Sequence, residues 1–121
     1  MQKNPIVFWE LASHDADRSV QFFRDVFEWE IEIDERLGFY VNEVPEDAPK
    51  VDGGIFTLKN AKLPFVALYI LVDDIHAKAK LIEEHGGMLV DGIQTMPSGA
   101  VICLFNEPSG VTFAMLQKRK Q

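Results

Sequence analysis

The strongest constraint on this chain is that it resembles itself. Displacing the sequence by 59 positions superposes Asp15 on Asp74. The same displacement lays Val7, Trp9 and Leu11 on Val66, Leu68 and Ile70, and Phe22 on Leu81. Few residues are identical, but the apolar parity is kept on strand and helix together. A displacement near half of the 121-residue length indicates two copies of one unit. The unit reads as a strand, a helix and three more strands.

In the first copy, "IVFWEL" (6–11) reads as a strand. Val7, Trp9 and Leu11 form one wholly apolar face, which belongs under a helix; Ile6, Phe8 and Glu10 form the other. "SHDAD" supplies cap residues, Ser13 or Asp15, and Asp15 and Asp17 suit the positive end of a helix dipole. Ala16, Val20, Phe23 and Phe27 recur at helical spacing, with Phe22 and Val26 widening the stripe, so core packing is expected of all six. "WEIEID" and "FYVNEV" read as strands, "PEDAPKVDGG" as a loop and "IFTL" as a fourth strand. "KNAKLP" is the candidate linker between modules at about 1–60 and 64–121 of a single domain.

The second copy opens with the strand "FVALYILV". The helix "DDIHAKAKLIEEHGG" follows, with Ile75, Ala79 and Ile82 on one face and Gly86–Gly87 as a stop. "MLVDGIQTM", "GAVICLF" and "GVTFAMLQ" supply three strands, joined by hairpin turns at "PSG" and "NEPSG".

One copy alone has a helix on one face of its sheet and nothing on the other. Two copies can bring their open faces together as one curved mixed sheet around a cleft, with the helices outside. The predicted class is therefore α+β, two βαβββ modules. By parity the cleft takes Phe8 and Glu10 from the first copy and Ala67, Tyr69 and Leu71 from the second. In the last strand Val111, Phe113 and Met115 read as the helix side, leaving Thr112, Ala114 and Leu116 towards the cleft. A mostly apolar hollow with a few polar groups is the usual make-up of a small-molecule site.

Charge and composition exclude several alternatives. The formal net charge of −7 repels phosphate backbones, and the one basic cluster, Lys118–Lys120, reads as a solvated tail. No nucleic-acid partner is expected. The single cysteine, Cys103, lies in the apolar "AVICLF" and reads as a buried thiol without an adjacent base. "MQKNPIVFWE" lacks the apolar core of a secretion signal, and no run is long enough to cross a membrane, so a cytoplasmic protein is expected.

The motifs resemble the vicinal oxygen chelate superfamily, the group of glyoxalase I, bleomycin-resistance proteins and extradiol dioxygenases. "ELASHDADRSVQFFRDVFEW" is similar to that family's strand followed by D-x-x-x-(S/A)-x-x-F-Y-x-x-x-(F/L)-G-W. "VDDIHAKAKLIEEHGG" resembles its second-module helix, and "FNEPSGVTFAML" its D-P-x-G-N-x-x-x-L ending. Glu28 replaces the family's Gly, and Val111 its Asn. The resemblance implies metal ligands on the first strand of each module and on the last strand. Those positions hold Phe8, Ala67 and Ala114, none of which binds a metal through its side chain. His14, His76 and His85 fall in a loop and on the second helix, without metal-ligand spacing.

No metal or other cofactor is therefore expected. The expected function is binding of an apolar or aromatic small molecule, with Phe8, Glu10, Tyr69, Leu71, Thr112 and Leu116 as ligand contacts. Glu10, read as the one charged residue on a cleft-facing strand, is the candidate acid or base of a metal-free enzyme. A metal-dependent lyase or isomerase of glyoxalase I type is the other alternative. The resemblance also implies a homodimer.

Overall fold

The structure is a computed structural model that describes residues 3–34, 39–43, 51–58 and 64–119. The class is α+β, and the element order of each half is the same. The first module runs β1 (Ile6–Ser13), α1 (Ala16–Phe27), β2 (Glu30–Asp34), β3 (Phe39–Glu43) and β4 (Asp52–Thr57). The second runs β5 (Phe65–Leu71), α2 (Ile75–Glu84), β6 (Met88–Thr95), β7 (Val101–Asn106) and β8 (Thr112–Gln117). Strand order is β2-β3-β4-β1 in one and β6-β7-β8-β5 in the other, with β1–β4 and β5–β8 parallel and the other pairs antiparallel. The chain divides into two compact units, Phe8–Ala67 and Leu68–Gln121, the latter taking in Met1–Val7. Within that second unit the Asn4 side-chain amide donates to the Leu71 carbonyl at 3.0 Å, and the Leu71 amide donates to the Pro5 carbonyl at 2.9 Å.

The repeat extends to the helix starts. Asp15 caps α1 by accepting from the Arg18 amide at 3.2 Å; Asp74 caps α2 by accepting from the Ala77 amide at 3.1 Å. The first amide of each helix is taken by a side chain from the end of its module's last strand. Ala16 donates to Thr57 Oγ1 at 3.1 Å and Ile75 to Gln117 Oε1 at 2.8 Å. Each bond satisfies a donor that a helix start leaves orphaned and fixes the helix over its sheet.

The helix-side faces follow the expected parity. In the first module Trp9, Leu11, Phe23, Trp29 and Tyr40 pack around buried Ala16, Val20, Ile31 and Ile55. In the second, Ile70, Ile82, Leu89, Ile93, Val101 and Phe113 pack around Val72, Ile75, Ala79, Cys103, Phe105 and Met115. Fully burying a side chain such as Ile31, Ile55 or Ile75 contributes about 1.5–3 kcal/mol.

Three sequence expectations need correction. Phe22, Val26 and Phe27 do not lie in the core; they are 54%, 56% and 57% exposed. Phe22 sits roughly 130° around the helix from the centre of the buried stripe, at 100° per residue, so its ring looks outward. Second, β4 starts at Asp52, inside the expected loop, because Gly53 is a strand residue that lets the Trp9 indole lie flat on its backbone. Third, Val111 is exposed and precedes β8 rather than joining its helix side. Most of the expected linker (59–63 of 59–64), most of the expected loop (45–50) and Lys120 lie outside the described residues.

Glu28 closes α1 in the left-handed region, at φ 58°, where the resembling family's pattern has Gly. A side chain there costs about 1 kcal/mol relative to Gly. The two turns of the second module are built alike, with Gly99 (φ 93°) and Gly110 (φ 99°) in the position that demands positive φ. The second turn has an extra clasp: the Glu107 carboxylate accepts from the Ser109 amide (2.9 Å), the Ser109 hydroxyl and the Val111 amide (2.8 Å). These bonds, the Ser109 hydroxyl foremost, hold its pKa below the ordinary 4.5. A depressed carboxylate stabilises above the unfolded value and loses that effect as pH falls through the folded one. Wild type should therefore melt above Glu107→Gln near neutral pH. The gap in Tm should close as pH drops below about 4.5. A pH-independent gap would show that the charge is not what holds the turn.

Candidate functional site

Strand register decides which residues share the sheet face opposite each helix. In the second module one row runs Leu71–Leu116–Ile102–Gln94 across β5, β8, β7 and β6. The next runs Tyr69–Ala114–Leu104–Val90, and a third begins Thr112–Asn106. Four of the expected ligand contacts, Tyr69, Leu71, Thr112 and Leu116, are thus brought onto one continuous face. Leu71, Ile102, Leu104, Thr112 and Leu116 are half-buried, so they still offer surface. Tyr69 is 5% exposed and Ala114 fully buried; they make a packed floor rather than a wall. The Thr112 hydroxyl donates to Asn106 Oδ1 at 2.6 Å, a polar pair at one end of an apolar field.

In the first module the face opposite α1 carries the other two expected residues. Phe8 pairs with Asp52, and the next row runs Glu10–Gly54–Val41–Glu32. Phe8 and Glu10 are half-buried. Gly54 is Glu10's neighbour on β4, so no side chain stands beside the carboxylate on that strand. Glu10 is engaged by a neighbouring group, as is Tyr69. The expectation that Glu10 is the one charged residue on this face is corrected by the register. Asp52 and Glu32 share it, and Glu30 follows by alternation along β2. Alternating acid and apolar residues in "EIEID" carry the signal, but only the pairing of β2 with β3 and β4 reveals which face the acids take.

An open depression of about 470 Å³ lies in the first module, lined by Arg24, Glu30, Ile31, Glu32 and Ile33. None of the expected site residues lines it. The Arg24 guanidinium donates to the Ile31 carbonyl there, and Glu30, Glu32 and Ile33 are exposed. It is a shelf against the outer strand, without the enclosing apolar walls a small-molecule site needs.

The donor chemistry bears on a metal. Phe8, Ala67 and Ala114, at the positions where the resembling family's ligands would fall, present only hydrocarbon, and both alanines are fully buried. Among the described residues no three of His, Cys, Asp or Glu gather into a set able to hold an ion. His14, His76 and His85 are exposed, and His85 Nδ1 lies 2.9 Å from the Leu81 carbonyl of its own helix. These residues do not fit a metal bound in that geometry. Cys103 is buried, and burial raises its thiol pKa, which leaves it unreactive.

Two strand–helix–three-strand modules of identical order make the comparison with known families decisive. The family model of the Glyoxalase/Bleomycin resistance protein/Dioxygenase superfamily matches residues 6–115. The chain belongs to this superfamily. Among solved structures, a hypothetical protein from Bacillus halodurans C-125 is similar, with 14% identity, a TM-score of 0.66, and 99% of this chain and 98% of that one covered. Methylmalonyl-CoA epimerase from Mycobacterium tuberculosis has 14% identity and a TM-score of 0.62, covering 95% of this chain and 88% of that one. A Streptomyces coelicolor methylmalonyl-CoA epimerase in complex with 2-nitronate-propionyl-CoA has 18% identity and a TM-score of 0.62, covering 98% and 100%. At these identities the likeness is one of fold. Comparison with curated protein sequences finds no match. Among the described residues of this superfamily member, no helix is long and apolar enough to cross a membrane.

Proposed function

We propose that this glyoxalase/bleomycin-resistance-type protein binds an apolar or aromatic small molecule without a metal. The observation that carries the reading is the face opposite α2. There, half-buried Leu71, Ile102, Leu104 and Leu116 lie in adjacent rows around Tyr69 and Ala114, with Thr112 and Asn106 at the edge. Apolar area supplies the attraction, at roughly 25 cal/mol per Å² removed from water, and the polar pair orients the ligand. The hydrocarbon side chains at the superfamily's chelating positions support a metal-free mode. The same reading takes the chain to be a cytoplasmic homodimer with no nucleic-acid or membrane partner.

The test is titration with Nile red, a neutral apolar dye, followed by its fluorescence. Saturable 1:1 binding is expected. Leu116→Arg, which sets a charge in the middle of that face, should weaken it by about tenfold or more. Non-saturable binding, or equal binding by the variant, counts against the assignment. Stoichiometric nickel, zinc, iron or manganese after purification without chelator would overturn the metal-free reading.

A second reading rests on Glu10. A half-buried carboxylate flanked by Phe8 and Ala12 along its strand face, beside a glycine on β4, is placed to exchange a proton with a ligand. This reading makes the protein a metal-free acid/base enzyme. The epimerase complexes of the same fold motivate an acyl-thioester screen. An unchanged rate in Glu10→Gln on any substrate so found would remove it.

A further inference from the structure

The outward face of α1 is an apolar surface inside a charge pattern that complements itself. Phe22 and Val26, 54% and 56% exposed, stand on that face with exposed Arg18 and Asp25 beside them. Arg18 is about 40° and Asp25 about 60° around the helix from Phe22, both on the same side. Along the axis Arg18 lies about 6 Å before Phe22 and Asp25 about 4.5 Å after it. Consider a twofold axis that crosses α1 at right angles beside Phe22 and sets it against an antiparallel copy. The rotation reverses height and keeps the side. Arg18 of each copy then meets Asp25 of the other, twice, while Phe22 meets Phe22 and Val26 meets Ser19. We infer that α1 is the contact between two copies of this chain, packed antiparallel about Phe22.

Charge supports a second copy as the occupant. The chain carries a net −7, yet α1 holds two acids, Asp17 and Asp25, against Arg18 and Arg24. The helix's own charge therefore does not oppose self-association. Asp25 is held by Gln21 Nε2 at 2.8 Å through Oδ1, which positions the carboxylate and leaves its other oxygen for an arginine. A closed twofold contact of this kind is isologous, so each interaction counts twice. The face of one 12-residue helix is smaller than the roughly 800 Å² per partner of a standard interface. The dimer is accordingly weak, with a Kd on the micromolar scale.

This inference rests on the homodimer reading, and the experiment separates the two. Sedimentation velocity from ~5 to ~200 μM should show wild type passing from monomer to dimer. Arg18→Asp and Asp25→Arg should each raise Kd about tenfold or more, and the double reversal should return it to within about threefold of wild type. The reversed charges suit the helix dipole, so folding is not at risk, and circular dichroism checks it. Phe22→Ser, at an exposed position, should also raise Kd. A wild-type dimer untouched by all four variants would overturn this interface and leave the homodimer standing. A dimer weakened by Phe22→Ser but not restored by the double reversal would overturn the antiparallel arrangement. A wild-type monomer at every concentration would overturn both.

Discussion

Gly53→Ala is expected to destabilise the protein by about 3 kcal/mol, lowering Tm by roughly 10–15 °C, although it adds a single methyl group. The Trp9 indole lies on the Gly53 backbone: a Cβ there would stand 2.0 Å from Trp9 Cε2, 2.2 Å from Cδ2 and 2.3 Å from Nε1. Backbone on one side and ring on the other leave no room, so the indole must leave its place. In doing so it abandons the hydrogen bond from Nε1 to the Val51 carbonyl, 3.2 Å, and the contact with Trp29, whose ring centroid is 5.6 Å away. Trp29 in turn stacks on Phe23 at 4.7 Å, so the disturbance reaches the packing between α1 and the sheet. Thermal melts measure the loss. Emission from the chain's two tryptophans, Trp9 and Trp29, should shift to the red as the indoles meet water. Trp9→Leu should partly relieve the clash, so the double variant should lose less stability than the two single losses added together. A Gly53→Ala protein that melts with wild type would show that the indole does not rest there.

That glycine marks the limit of what the sequence discloses. Alternation in "IVFWEL" assigns Trp9 and Leu11 to the helix side, and their packing around Val20, Ile31 and Ile55 bears this out. The same parity succeeds in β8, where Phe113 and Met115 face α2. Helix starts are equally legible, because Asp15 and Asp74 each precede an apolar-periodic run and a capping side chain acts within three residues. Two failures occur where the deciding contact is distant in sequence. Asp52 and Gly53 read as loop residues because their strand character comes from pairing with Phe8 and Trp9 of β1, far back along the chain. The shared face of Glu10, Glu32 and Asp52 depends on a register through β2, β3 and β4 that local periodicity cannot supply. Phe22 and Val26 read as core because hydrophobicity alone does not say how wide a buried stripe is. At 100° per residue α1 cannot bury both them and Val20 against one sheet.

The candidate site divides in the same way. Parity places Tyr69, Leu71, Thr112 and Leu116 on one side of their strands, and the β5–β8 and β7–β8 ladders join them into one surface. Parity cannot show that Tyr69 is closed off while Leu71 and Leu116 remain half-open, since burial depends on every neighbour at once. Nor can it find Ile102 and Leu104, which enter the surface only through their pairing with Leu116 and Ala114.

Ile75→Ala is expected to cost about 2–5 kcal/mol, the range for truncating a buried aliphatic side chain to Ala. Ile75 is 0% exposed at the first turn of α2, packed with Val72, Ala79, Cys103, Phe105 and Met115. Removing its outer carbons leaves a void between helix and sheet that rigid strand backbones close only in part. The substitution keeps the amide, so the bond to Gln117 Oε1 survives in the variant and the loss reports packing alone. Its consequences reach the candidate surface through β8. Met115 packs on Ile75's cluster from one side of that strand, while Ala114 and Leu116 look out on the other. A loosened β8 should therefore weaken Nile red binding as well as lower Tm. Gln117→Ala separates the two effects. It orphans the Ile75 amide at a cost of about 1–3 kcal/mol while leaving the apolar cluster whole. A loss for Ile75→Ala no larger than the roughly 0.5 kcal/mol typical of surface substitutions would show that α2 is not anchored through this residue.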